Sequence, residues 1–169
     1  MTLSIYAASV PVFKQILGAL SAVLDKAETH AGDKRIDPAA LLQFRLYPDM
    51  LPLVRQVQIA CDFAKGAAAR LGGQPVPPYE DTEQSFAELK ARIAKTVAFI
   101  DSVPQADIDG SEARAITTGS GEKTRHFVGQ EYLLHYAMPN FYFHATTAYD
   151  ILRHNGIEIG KKDFVGSYK

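Results

Sequence analysis

The residue whose surroundings suggest chemistry is His144, in the stretch PNFYFHATTAYDILRHNG at positions 139–156. Apolar residues such as Phe141, Ala148 and Ile151 recur around it at helical spacing, so His144 shares one helix face with them. A histidine on such a face can bind a metal, act as a general base, or hydrogen-bond to a neighbouring helix. Because buried polar groups are usually hydrogen-bonded, we favour the third role.

The polar residues that can meet His144 lie on a second predicted helix, at about 49–71. Gln58 and Asp62 are four residues apart and share a face, and Gln56 is the alternative partner. A carboxylate beside an imidazole would raise the imidazole pKa. The other interpretation of these side chains is a solvated helix face. The predicted ligand-binding set around His144 is Gln58, Asp62, Asn140 and Gln56.

Four long amphipathic helices are predicted to position these residues, because their apolar residues follow the i, i+3, i+4, i+7 pattern. They cover about 4–28, 49–71, 82–102 and 139–155. Ala31-Gly32-Asp33 is predicted to end the first helix, and the pair Asp81 and Gln84 resembles a capping box at the start of the third. Pro139 is predicted to lie in the first turn of the fourth.

The segments ARAITT and KTRHFV flank the turn GSGE, which predicts a short β-hairpin within 113–128. The predicted fold class is therefore all-α: a four-helix bundle with a small β-hairpin insertion before the last helix. The chain is about one domain long, so we expect a single domain over 1–169.

The composition argues against several classes of function. Hydrophobic residues make up 47% and charged residues 22%, and the net charge is -1, so nothing indicates binding to nucleic acid or an anionic membrane. Cys61 is the only cysteine, which excludes an intrachain disulfide and a CxxC motif. The N-terminus lacks the pattern of a signal peptide, and no apolar run approaches the ~20 residues of a membrane helix. We expect a soluble cytoplasmic protein.

Two blocks of the sequence resemble a known family: RLYPDMLPLVRQVQIACDFAKGAAARLGG and PNFYFHATTAYDILRHNGIEIGKKDF. They are similar to the DinB/YfiT-like superfamily, in a branch whose function is uncharacterised. The resemblance covers essentially the whole chain and implies a four-helix bundle that is commonly dimeric. It also implies a divalent metal, often nickel or zinc, held by three histidines. One of these histidines lies on the second helix, and two lie on the fourth at i, i+4 spacing.

The three-histidine pattern is mostly missing from this sequence. The resemblance assigns the last metal ligand to His144, but the position four residues earlier is Asn140 and the second helix contains no histidine. Amide groups are poor ligands for nickel and zinc. Asn140 is interpreted either as a ligand-binding residue or as the N-cap of the final helix.

Two functional hypotheses follow. The one we favour is a dimerising or small-molecule-binding module with a degenerate metal site and no bound metal. The alternative is a metal-dependent enzyme that uses nickel or zinc in a pocket at His144. Under either hypothesis we expect a homodimer built largely from helix faces, and no nucleic-acid or membrane partner. The sequence assigns no catalytic residue and no substrate.

Overall fold

The first helix of the computed structural model, which describes residues 3–167, is α1 (Ile5–Lys34). Its end is set by Arg35, which adopts the left-handed conformation with φ 55°. The N–H of Ile36 then donates to the carbonyl of Ala31, as in a Schellman motif. Because Ile36 packs on the core and Ala31 is buried in it, α1 continues past its predicted stop.

The other elements follow in chain order: α2 (Pro38–Leu42), α3 (Leu53–Leu71), α4 (Phe86–Ser102), α5 (Gln105–Ile108), β1 (Ala115–Thr118), β2 (Arg125–Val128), α6 (Gly129–Glu131), α7 (Met138–His154) and α8 (Lys161–Val165). The long helices α1, α3, α4 and α7 pack together, with α3 between α4 and α7. Strands β1 and β2 form an antiparallel hairpin in which Thr118 lies opposite Arg125. The predicted fold class, a helical bundle with a small hairpin before the last long helix, is confirmed.

Helix α3 is buried on almost every side. Small residues such as Ala64 and Ala68 are fully buried in it and let the neighbouring helices approach closely. The polar residues Gln56 and Gln58 are therefore buried as well, and each must find a hydrogen-bond partner on another element or loop.

Among the described residues, α1 is the one helix that is long and apolar enough to cross a membrane by length and composition. Half of its most apolar stretch is buried inside the structure. Phe13, Leu17 and Leu24 are fully buried in the bundle core. Packing within the bundle therefore accounts for much of the apolar character of this helix.

Helix α4 begins later than predicted. The Ser85 hydroxyl accepts a hydrogen bond from the N–H of Glu88, and the Glu88 carboxylate accepts one from the N–H of Gln84. The predicted capping pair of Asp81 and Gln84 is therefore wrong, because Ser85 is the N-cap. Asp81 lies in the preceding connector and pairs with Arg92 instead.

The predicted final helix matches α7, but Pro139 does not begin the helical run. The run starts at Gly129 and passes through a π-helical segment, Tyr132–Ala137, before α7. In this segment the N–H of Met138 donates to the carbonyl of Leu133, five residues earlier. A proline inside an α-helix has no N–H to donate and clashes with the carbonyl four residues before it. The wider π turn relieves that conflict.

Candidate functional site

His144 is half-buried between α7 and α3. Its Nδ1 lies 2.7 Å from Oε1 of Gln56. Its ring is nearly parallel to that of Phe63, with centroids 6.0 Å apart, and perpendicular to that of Phe143 at 5.2 Å. The imidazole thus contacts a polar side chain of α3, as predicted. The partner is Gln56, which is the alternative to Gln58 and Asp62 in the sequence-based prediction.

The hydrogen bonds of Gln56 determine which nitrogen of His144 carries the proton. Gln56 Nε2 donates to the carbonyl of Leu51 at 2.9 Å, so its Oε1 is the end that faces the imidazole. An amide oxygen can only accept, so Nδ1 of His144 is the donor and the lone pair of the neutral ring lies on Nε2. Burial, and then the charge of Arg55, lower the pKa of His144 below its usual 6.5. At neutral pH the ring therefore offers a hydrogen-bond acceptor at Nε2.

The residues around His144 do not fit a nickel or zinc site. Within the described part of the chain, no group of three or more His, Cys, Asp and Glu side chains is placed to hold a metal ion. The amide of Gln56 is already hydrogen-bonded at both ends, and Arg55 adds a positive charge nearby. One imidazole with this neighbourhood lacks the donors that these metals require, so we derive no metal chemistry from it.

Asn140 is turned toward the backbone. Its Nδ2 donates to the carbonyl of Tyr136 at 2.8 Å. The capping interpretation is wrong, because the helical run continues through Asn140 from the π-helical segment. The predicted ligand-binding role of Asn140 stays a prediction.

Gln58 and Asp62 lie in a charged cluster, formed with Asp81, Glu83 and Arg92, at the α3–α4 side of the bundle. Arg92 is buried and lies 3.0 Å from each of Asp62, Asp81 and Glu83. Gln58 Nε2 donates to Glu83 at 2.7 Å. Gln58 and Asp62, the preferred partners of His144 in the sequence-based prediction, therefore contact other residues and do not contact the imidazole.

Two carboxylates of the charged cluster, those of Glu83 and Asp81, stay ionised at neutral pH. Burial raises the pKa of Glu83, but hydrogen bonds from Arg92 and Gln58 outweigh it, and the pKa falls below its usual value. Burial likewise opposes ionisation of Asp81, and the nearby Arg55 and Arg92 lower its pKa overall. An acid kept charged by fixed partners is suited to holding helices together, and poorly suited to donating protons at neutral pH.

The buried thiol beside this cluster is chemically inert. Burial raises the pKa of Cys61 to about 12, and the nearby Thr96 hydroxyl lowers it less than burial raises it. A nucleophilic cysteine must be ionised to a useful extent near neutral pH. Cys61 is therefore a small core residue.

A cleft of about 170 Å³ opens between α3, the π-helical segment and the end of β1. Its lining residues are Asp62, Phe63, Arg70, Thr118, Tyr132 and Tyr136. Phe63 also packs against His144, so the cleft and the imidazole share one aromatic wall. Sequence reasoning did not identify this cleft, because its residues come from three segments.

Arg70 is the cation of this cleft. Its Nη1 donates to the Tyr132 hydroxyl at 3.1 Å. Among the described residues, no carboxylate lies within ion-pairing distance of its guanidinium. Four of its five N–H donors are thus left without a hydrogen-bond partner in the described part of the protein.

Gly66 makes room for the guanidinium of Arg70. A Cβ atom at position 66 would lie 2.5 Å from Nη1 of Arg70 and 3.9 Å from the hydroxyl of Tyr132. Glycine inside a helix costs up to about 1 kcal/mol relative to alanine. The sequence signal for this close approach, which was not used, is a glycine in the middle of an alanine-rich helix.

Comparison with known proteins agrees with the fold. The family described as a domain of unknown function (DUF1993) matches residues 5–165. A crystal structure of a DinB family member protein from Shewanella denitrificans is similar, with a TM-score of 0.88 and 43% sequence identity over 97% of this chain and 94% of that one. No functionally curated protein matches. The resemblance seen in the sequence is confirmed, and the chain belongs to the DinB-like DUF1993 family of unknown function.

Proposed function

We propose that this protein binds a small molecule, without a metal ion, in the cleft beside His144. The observation that supports the proposal is Arg70, a half-buried guanidinium that lines the cleft and has no carboxylate partner among the described residues. The deeper cations of the protein are paired: Arg92 contacts three carboxylates, and Lys65 lies 2.9 Å from Asp62. A guanidinium left with spare donors next to aromatic rings is a typical recognition element for a ligand.

The side chains around Arg70 support the same proposal. Tyr132 is fully buried and Tyr136 half-buried, so the cleft has a firm aromatic floor. Phe63 packs against both Tyr136 and His144, so it connects this floor to the neutral imidazole, whose acceptor is Nε2. Small-molecule sites commonly combine such apolar walls with a few polar groups.

Fragment screening by NMR tests this proposal. Isotope-labelled protein in EDTA is titrated with fragment mixtures, and we expect amide shifts to concentrate at Phe63, Thr118 and Tyr136. Thr118→Phe fills the cleft and should abolish these shifts, whereas Thr117→Phe, at the exposed neighbouring position, should leave them unchanged. Shifts that appear only after nickel or zinc is added would support the metal-dependent alternative. Shifts confined to other surfaces would refute the proposal.

We also propose that the protein is a homodimer in solution. Several large apolar side chains of the helical run are exposed, among them Leu134, Tyr142 and Phe143. Tyrosine and phenylalanine are enriched at protein interfaces. The cytoplasmic location and the lack of nucleic-acid or membrane partners stay predictions from composition.

A further inference from the structure

We infer that the ligand of the cleft is a small aromatic carboxylate, whose carboxylate group binds Arg70 while its ring packs against Tyr136. This inference rests on the proposed function and adds the chemical class of the ligand. It follows from the charge of the cleft, its aromatic floor and its size.

The charge of the cleft favours an anion. The guanidinium of Arg125 lies 5.5 Å from the centre of the ring of Tyr136, a lining residue, and no described carboxylate pairs with it. Asp62 is the acidic residue of the lining, and its Oδ1 is already within 3.0 Å of both Lys65 and Arg92. Arg70 in the lining and Arg125 beside Tyr136 thus have no described ion-pair partner, whereas Asp62 already has two counter-ions.

Arginine recognises a carboxylate with particular strength. Its planar group can donate two parallel N–H bonds to the two carboxylate oxygens. Arg70 uses one donor on Tyr132 and has donors left for such a pair. The Tyr132 hydroxyl fixes the guanidinium before the ligand arrives, which reduces the side-chain entropy lost on binding.

The aromatic floor and the volume favour one ring. Tyr136 packs against Phe127 at 5.1 Å, Phe63 at 5.7 Å and Tyr132 at 5.9 Å between ring centroids. Sites for drug-sized ligands span about 300 to 1,000 Å³, whereas a cavity of about 150 Å³ holds one benzene ring. The cleft of about 170 Å³ therefore suits a single ring that bears a short acidic group.

The test compares single-ring ligands of similar size that carry a negative, a neutral or a positive polar group. Benzoate, benzamide and benzylamine are titrated into the labelled protein at fixed ionic strength, and their dissociation constants are measured from the NMR shifts of the cleft residues. We expect benzoate to bind at least about tenfold more tightly than benzamide, and benzylamine to bind more weakly still. Acetate, which lacks the ring, should also bind more weakly than benzoate.

Gly66→Ala is the most specific test of the role of Arg70. The added methyl group must displace the Arg70 guanidinium, a flexible side-chain end, while the helix gains a better helix former. We expect the thermal midpoint to stay the same or rise, and the affinity for benzoate to fall at least about tenfold. Gly18→Ala is the matched control, because a Cβ atom at that helical position meets nothing within 4 Å. Arg70→Gln should reduce benzoate binding in the same way and leave benzamide unaffected.

The outcomes separate the two proposals. If benzamide binds the cleft as tightly as benzoate, or if Gly66→Ala leaves benzoate binding unchanged, the assignment of a carboxylate ligand is wrong while the cleft remains a binding site. If neither these compounds nor any fragment shifts the cleft residues, both the proposed function and this inference are overturned.

Discussion

At the scale of the residue, helical rotation explains why Gln56 orients His144. Gln56 and Phe63 are seven residues apart on α3, nearly two full turns, so both face α7 and its histidine. Gln58 and Asp62 are four residues apart on a different face, where they meet Arg92 and Glu83. The sequence placed a polar partner on α3, and the choice among three candidates depended on the rotation of that helix.

Gln56→Leu tests the importance of this contact for stability. The substitution removes the acceptor for His144 and the donor for the Leu51 carbonyl, and it leaves polar groups of these residues unsatisfied. We expect a loss of about 1–3 kcal/mol in the free energy of unfolding, measured by urea denaturation at pH 7.5. Gln130→Leu, at an exposed position, should change stability by no more than about 0.5 kcal/mol. Equal effects of the two substitutions would contradict the role given to Gln56.

The lowered pKa of His144 predicts a dependence of stability on pH. The unfolded histidine titrates near 6.5, whereas the folded one stays neutral at lower pH because of burial and Arg55. Between the two pKa values the unfolded chain binds more protons, so the contribution of His144 to stability is complete above about pH 6.5. It falls as the pH drops below that value.

NMR titration of the imidazole checks this dependence directly. We expect the ring of His144 to be neutral at pH 7 with the proton on Nδ1, and to titrate below 6.5. Gln56→Glu places a carboxylate beside the ring and should raise the pKa. A titration midpoint above 6.5 in the unmodified protein would show that the environment of His144 is different from the one described.

At the scale of the element, the charged cluster joins α3 to α4 and to the connector before α4. Arg92 contacts Asp62 on α3, Asp81 and Glu83 in the connector, and also donates to the carbonyl of Glu80. A buried arginine is costly unless it is paired in this way. The cluster therefore determines where the connector lies, and with it the position of the start of α4.

Arg92→Met tests this function of the cluster. Removing the guanidinium leaves Glu83 without its main partner, and we expect a loss of about 3 kcal/mol at pH 7. Lys95→Met, at an exposed position on the same helix, is the control and should have a much smaller effect. Chemical denaturation of the two variants against the unmodified protein provides the measurement.

Acid should reduce the effect of Arg92→Met. The folded-state pKa values of Asp81 and Glu83 are lowered, so their pairing stabilises the protein above their unfolded values of 3.8 and 4.5. That stabilisation is lost as the pH falls through the folded pKa values. The stability difference between Arg92→Met and the unmodified protein should therefore narrow below about pH 4.5. A constant difference from pH 7 to pH 3 would argue that Arg92 acts through packing alone.

At the scale of the whole molecule, four helices bury one shared core while parts of α7 and of the π-helical segment remain exposed. Phe143 is 55% exposed and Tyr142 38% exposed, next to the half-buried His144. Exposed aromatic residues grouped on one helix are typical of an interface. A dimer through this surface would bring its partner close to the proposed site.

Light scattering tests the dimer. We expect a mass of about twice the 18.5 kDa of one chain, since a helix-face dimer would cover these apolar residues. Phe143→Lys should shift the mass to that of one chain. Thr146→Lys, at an exposed position on the same helix, is the control that shows whether an added charge at any exposed site of α7 is sufficient to dissociate the dimer. A single-chain mass at every concentration of the unmodified protein would refute the homodimer.

The sequence by itself determined the long helices, the hairpin and the inward side of the helix that bears His144. These features depend on local periodicity, which each segment contains within its own residues. Two helix boundaries were not predicted. The end of α1 at Arg35 depends on the packing of Ile36 and Ala31 in the core, whereas the start of α4 is set locally by the capping of Ser85 with Glu88, for which the pair Asp81 and Gln84 was mistaken.

The tertiary structure alone decided which side chains meet. The partner of His144, the cleft and the unpaired state of Arg70 all depend on how α3 is rotated between α4 and α7. A rotation by one residue, about 100°, exchanges the neighbours of every side chain on a helix and leaves its apolar spacing unchanged. Periodicity therefore predicts that a helix is buried, whereas the contacts of its polar residues are fixed when the bundle packs.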